Sequence, residues 1–220
     1  MTAAAQHLSN RIAVLVADDH PMFRRGIVEF LAETDEIEVV AESGTADEVL
    51  AQLRRHTVDV VVLDLGMPGT NGVDLLDRIH HEWPALPVLV LTVYSEELYA
   101  VRALRAGAVG YLTKDAAAAE LVQAIRRVSA GRRWVSPTLA EHLVAFLDRD
   151  PARPAHDVLS NRELEVLRRI GAGQMAKAIA WGLHLSPKTV STYRTRILEK
   201  LDLHTTADLI RYALKHGLTR

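Results

Sequence analysis

Residues 58–72 read VDVVVLDLGMPGTNG. Val60, Val61, Val62 and Leu63 form an unbroken aliphatic run, too short for an ordinary helix and bounded by Gly66, Pro68 and Asn71. A run of this kind fits a strand covered on both faces, as in a parallel sheet. At its carboxyl end stands an acid, Asp64, and Gly66-Met67-Pro68 then forms a loop that cannot continue the strand. Ligands of open α/β sheets collect outside the carboxyl ends of the strands. A carboxylate in that place is expected to hold a metal, to act as a nucleophile, or both.

The surrounding chain repeats the pattern. Ile12–Ala17 is a second apolar run and ends in Asp18-Asp19; Pro21 then opens a helical pattern through Phe23, Ile27, Phe30 and Leu31. Further strands are expected at 37–41, 88–92 and 110–112, the second of these ending at Thr92 and the third followed by Thr113-Lys114. Helices are expected over 46–55, from Gly72 through Ile79, over 95–106 and over 115–130. Five alternations of strand and helix, joined right-handedly, leave one fold class: a five-stranded, doubly wound parallel sheet. Its carboxyl edge then gathers Asp18, Asp19, Asp64, Thr92 and Lys114.

Three crowded carboxylates repel one another and call for a divalent cation. Oxygen ligands alone favour a hard ion such as Mg²⁺, which also accepts phosphate oxygens. An aspartate can attack phosphorus to give an aspartyl-phosphate, and a metal, a Lys and a hydroxyl suffice to steady the transferring group. With these residues, the first half resembles the flavodoxin-like receiver domain of bacterial two-component response regulators over residues 11–132. The shared motifs are Asp18-Asp19, Asp64 through Pro68 with Gly72, Thr92, and Tyr111 three residues before Lys114.

The resemblance implies that Asp64 accepts a phosphoryl group from a sensor histidine kinase. It implies Mg²⁺ ligated by Asp19, Asp64 and the Gly66 carbonyl, with Asp18 acting through water. Lys114 and Thr92 would bind the phosphoryl oxygens, and Tyr111, which spacing alone reads as a core aromatic, would turn inward behind Thr92. Gly66 and Tyr94 occupy the positions that tune dephosphorylation. A haloacid-dehalogenase-like phosphatase would need a second Asp two residues beyond the nucleophile; Gly66 stands there, so the chain is not read as an enzyme.

Charge divides the chain. Residues 1–132 carry 12 basic and 19 acidic side chains, a net −7, whereas 157–220 carry 11 basic and 6 acidic, a net +5. A basic half on an acidic one points to a polyanionic partner for the second half alone. The chain has no cysteine, which excludes disulfides and thiolate metal sites. The N-terminal residues contain no apolar run of signal-peptide length, and no stretch is long enough to span a membrane. A cytoplasmic protein without a membrane partner is expected.

Residues 133–156 read as a linker rich in Pro and charge, with a short amphipathic helix expected over 138–147. From 157 the pattern turns all-helical. Ser160 and Glu163 form a capping-box sequence ahead of an apolar stripe ending at Gly171. A short helix over 175–182, a turn at Leu183-His184-Leu185, and a third helix opened by Ser186-Pro187 make a helix-turn-helix, followed by a fourth helix from Thr205. On the third helix Val190, Ile197 and Leu201 must face the core. Ser191, Thr192 and Thr195 then turn toward base edges, and Lys188, Tyr193, Arg194, Arg196 and Lys200 toward the backbone, with Thr189 beside them.

This half, 157–220, is similar to the LuxR-type four-helix domain of the NarL/FixJ subfamily, through LSNRELEVL and LSPKTVSTYRTRILEKLDL. In the second helix the family's Asn-Lys-Glu-Ile-Ala is Ala176-Lys177-Ala178-Ile179-Ala180 here, so only Lys177 remains as a phosphate ligand. The resemblance implies double-stranded DNA as partner and a homodimer on it, formed through the fourth helix with Leu203, Asp208 and Arg211. The expectation is a transcriptional regulator switched at Asp64. The alternative keeps the DNA binding and uses the receiver only as a dimerisation scaffold.

Overall fold

The computed structural model describes residues 11–67, 72–115, 118–141, 155–183 and 185–219. They belong to two units, one within Met1–Asp150 and the other within Pro151–Arg220. Pro68, expected to shape the loop after Asp64, and His184 of the helix-turn-helix lie outside the described residues, as does most of the expected 138–147 helix.

In the first unit β1 (Ile12–Ala17), β2 (Ile37–Ser43), β3 (Val60–Leu63), β4 (Val88–Thr92) and β5 (Gly110–Thr113) alternate with α1 (Pro21–Ala32), α2 (Ala46–Arg55), α3 (Gly72–Glu82), α4 (Glu96–Arg105) and α5 (Ala118–Ser129). The strands are all parallel, in the order β2-β1-β3-β4-β5. All four side chains of β3 are buried, as a strand covered on both faces requires. The two-residue period sorts the core. Val14, Val16, Val60, Val62, Leu89, Leu91 and Leu112 pack with Ile27 and Leu31 of α1 and with Leu121, Ile125 and Val128 of α5. The intervening residues, Leu15, Val61, Leu63 and Val90, are equally buried, as are Val49, Leu76, Ile79 and Ala103 of α2, α3 and α4. Each buried Val, Leu or Ile among them contributes about 1.5–3 kcal/mol of transfer free energy.

Local chemistry starts the helices. Thr45 accepts the amide of Glu48 to cap α2, whose first turn carries Asp47 and Glu48 and whose last carries Arg54 and Arg55, matching the helix dipole at both ends. Neighbouring β1 and β3 are continued in opposite directions across the sheet. Their carboxyl ends therefore open the crevice in which Asp18 and Asp64 meet.

The second unit holds a 3₁₀ turn (Ala155–Val158), α6 (Asn161–Gly171), α7 (Ala176–Gly182), α8 (Pro187–Lys200) and α9 (Thr206–Lys215). Capping boxes start α6 and α9, through Ser160 with Glu163 and Thr205 with Asp208, and Ser186 caps α8 ahead of Pro187. Asp202 turns the chain after α8 at φ 52°, a conformation that a short polar residue tolerates.

Glu163 does more than cap. It is buried, accepts the Ser160 amide at 2.7 Å, and takes Lys200 Nζ of α8 at 2.7 Å. Burial pushes its carboxyl upward, but Lys200 and Ser160 outweigh that and hold it below its ordinary value. A depressed carboxyl contributes stability above its unfolded pKa and loses it as pH falls through the folded one. Urea unfolding of the second unit is therefore expected to weaken as pH drops below the usual carboxylate range. Glu163→Gln should fall less steeply, with the remaining slope from Asp208, held down to about 2 by Thr205 and Arg211. Glu163→Ala should cost about 2 kcal/mol near neutral pH, since it removes both the reciprocal bond of the cap and the carboxylate that Lys200 pairs with.

Candidate functional site

The carboxyl edge of the sheet brings together residues 96 positions apart. Lys114, just after β5, places Nζ 2.7 Å from Asp18 Oδ2 and 2.6 Å from Asp64 Oδ2, with its side chain only 8% exposed. Asp64 Oδ1 accepts the Thr92 hydroxyl at 2.8 Å and the Gly66 amide at 2.8 Å. One ammonium, one hydroxyl and one backbone N–H thus converge on a single buried carboxylate. Asp19 stands at the rim, less buried than Asp18 and Asp64. Ligand atoms of Asp18, Asp19, His20 and Asp64 all lie within 4.8 Å of one another.

The electrostatics are lopsided. Burial raises the Asp18 carboxyl above its ordinary value, hydrogen bonds from Lys114 and the His20 amide pull it down, and the nearby Asp64 adds to the rise. Burial also opposes the charge on Lys114, yet Asp64 and Asp18 together hold it above its ordinary value. A single ammonium thus serves two buried carboxylates. Three carboxylates gathered around one ammonium leave surplus negative charge, which suits a hard divalent cation. Asp19 Oδ1 supports this. It is buried without a well-formed hydrogen bond, although His20 Nδ1 lies 2.8 Å away.

Tyr111 is fully buried and points inward, its hydroxyl donating to the Tyr94 carbonyl at 2.9 Å. Burial raises the phenol far above its ordinary value, so it stays a neutral donor.

In the second unit Val190 and Ile197 are buried as expected, and Leu201 half-buried. Lys188, Ser191, Thr192, Thr195 and Arg196 form the exposed side of α8, with Thr189, Tyr193 and Arg194 half-buried along its flanks. The hydroxyls of Ser191, Thr192 and Thr195 donate to carbonyls one turn back, those of Pro187, Lys188 and Ser191. Thr189 Oγ1 meets Ser186 Oγ at 2.8 Å, and Arg194 Nε donates to Thr206 Oγ1 at 2.9 Å. Lys177 on α7 is exposed. Lys200 differs from its expected use, because its ammonium is engaged with Glu163. Near α9, Leu203 is half-buried, while Asp208 is committed to the Thr205 cap and pairs with Arg211.

Residues 14–126 match the family described as "response regulator receiver domain", and residues 157–213 match "bacterial regulatory proteins, luxR family". The chain is 41% identical over 209 residues to the response regulator GacA of Pseudomonas viridiflava, covering 94% of this chain and 97% of that one. It belongs to the NarL/FixJ family of two-component response regulators. The response regulator UvrY of Escherichia coli K12 is 36% identical over 208 residues, 94% of this chain and 95% of its own. Among solved structures, the response regulator ChrA of a heme-sensing two-component system aligns at TM-score 0.52 and 33% identity, over 95% of this chain and 99% of its own. The RcsB–DNA complex aligns at 0.59 and 27%, over 92% and 98%.

This response regulator therefore joins a receiver domain to a LuxR-type DNA-binding domain. Among its described residues no helix is long and apolar enough to cross a membrane. The receiver site also contains residues that periodicity does not single out. Phe23 places its ring 4.5 Å beneath Lys114 Nζ, and Arg24 bonds both the Asp18 carbonyl and Glu42. Phe23 reads as an ordinary core position of α1; only its place in the first turn, beside the acid pair, could have marked it.

Proposed function

We propose that Asp64 is the phosphoacceptor through which a sensor histidine kinase controls this DNA-binding regulator. The supporting observation is the convergence of Lys114, Thr92 and the Gly66 amide on the Asp64 carboxylate. An Asp64 oxygen attacks the phosphorus of a phosphohistidine; the P–O bond forms as the P–N bond breaks, and the imidazole leaves. Lys114 and Thr92 then turn from the carboxylate to the phosphoryl oxygens. Asp18, Asp19 and Asp64, with the Gly66 carbonyl, are the groups to hold Mg²⁺, which when bound neutralises charge on the transferring group. Tyr111 fills the space behind Thr92. One solved relative, RcsB, is seen in a complex with DNA, and no turnover of a free substrate is part of this role.

The test is chemical. After incubation with acetyl phosphate and Mg²⁺, reductive trapping and peptide mass spectrometry should find the adduct on Asp64 and lose it with EDTA. An adduct confined to another residue would overturn the assignment.

On the DNA side, α8 enters the major groove of double-stranded DNA, with Ser191, Thr192 and Thr195 toward base edges. Lys177, Lys188 and Arg196 meet phosphates, Thr189, Tyr193 and Arg194 flank them, and Lys200 supports α6 first. A homodimer forms on DNA through α9, with Leu203, Asp208 and Arg211 at or near the contact. Lys188→Ala is expected to weaken binding to all sequences alike. It should also lower the slope of log K against log salt by about 1. Fluorescence anisotropy across a salt series measures both; loss of sequence preference with an unchanged slope would place Lys188 on a base instead.

A further inference from the structure

The chain does not leave the receiver directly after α5. Trp134 forms a parallel bridge with Gly110 of β5; its amide donates to the Val109 carbonyl at 3.0 Å, and its carbonyl accepts from the Tyr111 amide at 3.3 Å. This close approach depends on Gly110. A Cβ there would meet Leu89 Cδ1 at 2.8 Å, Trp134 Cβ at 3.0 Å and the Trp134 carbonyl at 3.1 Å. Two residues on, the Ser136 hydroxyl donates to Glu96 Oε2, in the first turn of α4. The same hydroxyl accepts the Leu139 amide at 3.0 Å, and the Ser136 carbonyl accepts the Ala140 amide at 3.0 Å. Residues 137–141 are helical, and Leu139 among them is completely buried.

Residues 134–141 are thus a strap held to β5 by main chain and to α4 by one side chain, with Leu139 buried beyond them. Each anchor adjoins a residue that the phosphoacceptor reading sets in motion. Trp134 is bonded to the backbone of Tyr111. Glu96 lies two residues beyond Tyr94, whose carbonyl holds the Tyr111 hydroxyl, and four beyond Thr92, whose hydroxyl is on Asp64.

We propose that this strap is the receiver's output, and that the Ser136–Glu96 bond is the contact released when Asp64 carries a phosphoryl group. The proposal rests on Asp64 as phosphoacceptor. When the Thr92 hydroxyl follows the phosphoryl oxygens, the 93–96 segment moves with it. Trp134 is tied to β5 by backbone bonds on both sides of Gly110, so it stays with the sheet. The difference in movement falls on the single hydroxyl–carboxylate bond. Because Ser136 also caps the 137–141 turn, losing Glu96 reorients that cap, frays the turn and uncovers Leu139. The linker toward the DNA-binding domain is thereby freed from Ser136 onward while the bridge at Trp134 persists.

Hydrogen exchange on the full chain, with Mg²⁺ alone and with Mg²⁺ plus beryllofluoride, tests this. The amides of residues 139 and 140 should exchange about fivefold faster with the mimic, the worth of about one hydrogen bond. Those of Tyr111 and Trp134 should be unchanged. Ser136→Ala, and separately Glu96→Ala, should show the fast exchange without the mimic and no further rise with it. Both should also raise DNA affinity in the unphosphorylated protein. Unchanged exchange at 139 and 140, with the mimic visibly protecting residues around Asp64, would overturn the strap's role alone. Failure of the mimic to protect those residues would remove the phosphoacceptor assignment, and the strap's trigger with it.

Discussion

Replacing Asp64 with Asn is expected to abolish phosphoryl acceptance while leaving the receiver folded. The amide oxygen can still accept Thr92 and the Gly66 amide, so the loop after β3 keeps its shape. Lys114 loses one of its two carboxylates and retains Asp18 at 2.7 Å. One negative charge also leaves a crowded site, which relieves Asp18, whose carboxyl is raised by burial and by Asp64. The unfolding midpoint should therefore move by only a few degrees, within what about 1 kcal/mol produces. A Phos-tag gel after treatment with acetyl phosphate and Mg²⁺ should show a shifted band for the wild type and none for the variant. A shifted band in Asp64→Asn would mean that another acid accepts the group.

Gly72→Ala is expected to have the largest effect on stability. A Cβ at Gly72 would lie 2.5 Å from both the Cα and the carbonyl oxygen of Leu65, and 2.8 Å from its carbonyl carbon. Those atoms are main chain, one residue beyond Asp64, and cannot swing aside as a side chain could. The first turn of α3 must move away from the end of β3, at a cost of about 3 kcal/mol by the scale of overpacked cores. The same shift displaces the Gly66 amide from Asp64, so phosphoryl acceptance should slow as well. Urea unfolding of the first unit, followed alongside the Phos-tag assay, measures both. An unchanged unfolding midpoint would show that the α3 contact is loose.

Much of this was legible because the signals are local. The four aliphatic residues of β3 have no polar alternation, and a doubly covered strand has no need of any. Asp18, Asp64, Thr92 and Lys114 each end an apolar run, so the parallel topology alone gathers them. The caps at Ser160 and Ser186 are written within three residues of their partners. What was illegible depends on distance in the chain. Nothing near Glu163 announces Lys200, 37 residues on, as its counter-ion, and a basic residue on a DNA-facing helix reads as a phosphate ligand by default. Trp134 and Ser136 lie in a stretch whose arginines and proline read as linker. Their partners, Gly110 and Glu96, become visible only once β5 and α4 are set side by side. Phe23 carries the period of a core position and shows its second use only with Lys114 above it.

The central claim is that the state of Asp64 governs DNA binding by a separate domain. The direct measurement is equilibrium binding of the full chain to a cognate operator fragment at fixed salt, with and without acetyl phosphate and Mg²⁺, for wild type and Asp64→Asn side by side. The account predicts tighter binding by the phosphorylated wild type, and no response at all from the variant. Equal affinity in all four samples, with phosphorylation of the wild type verified on the same material, would contradict it and leave the receiver as a scaffold.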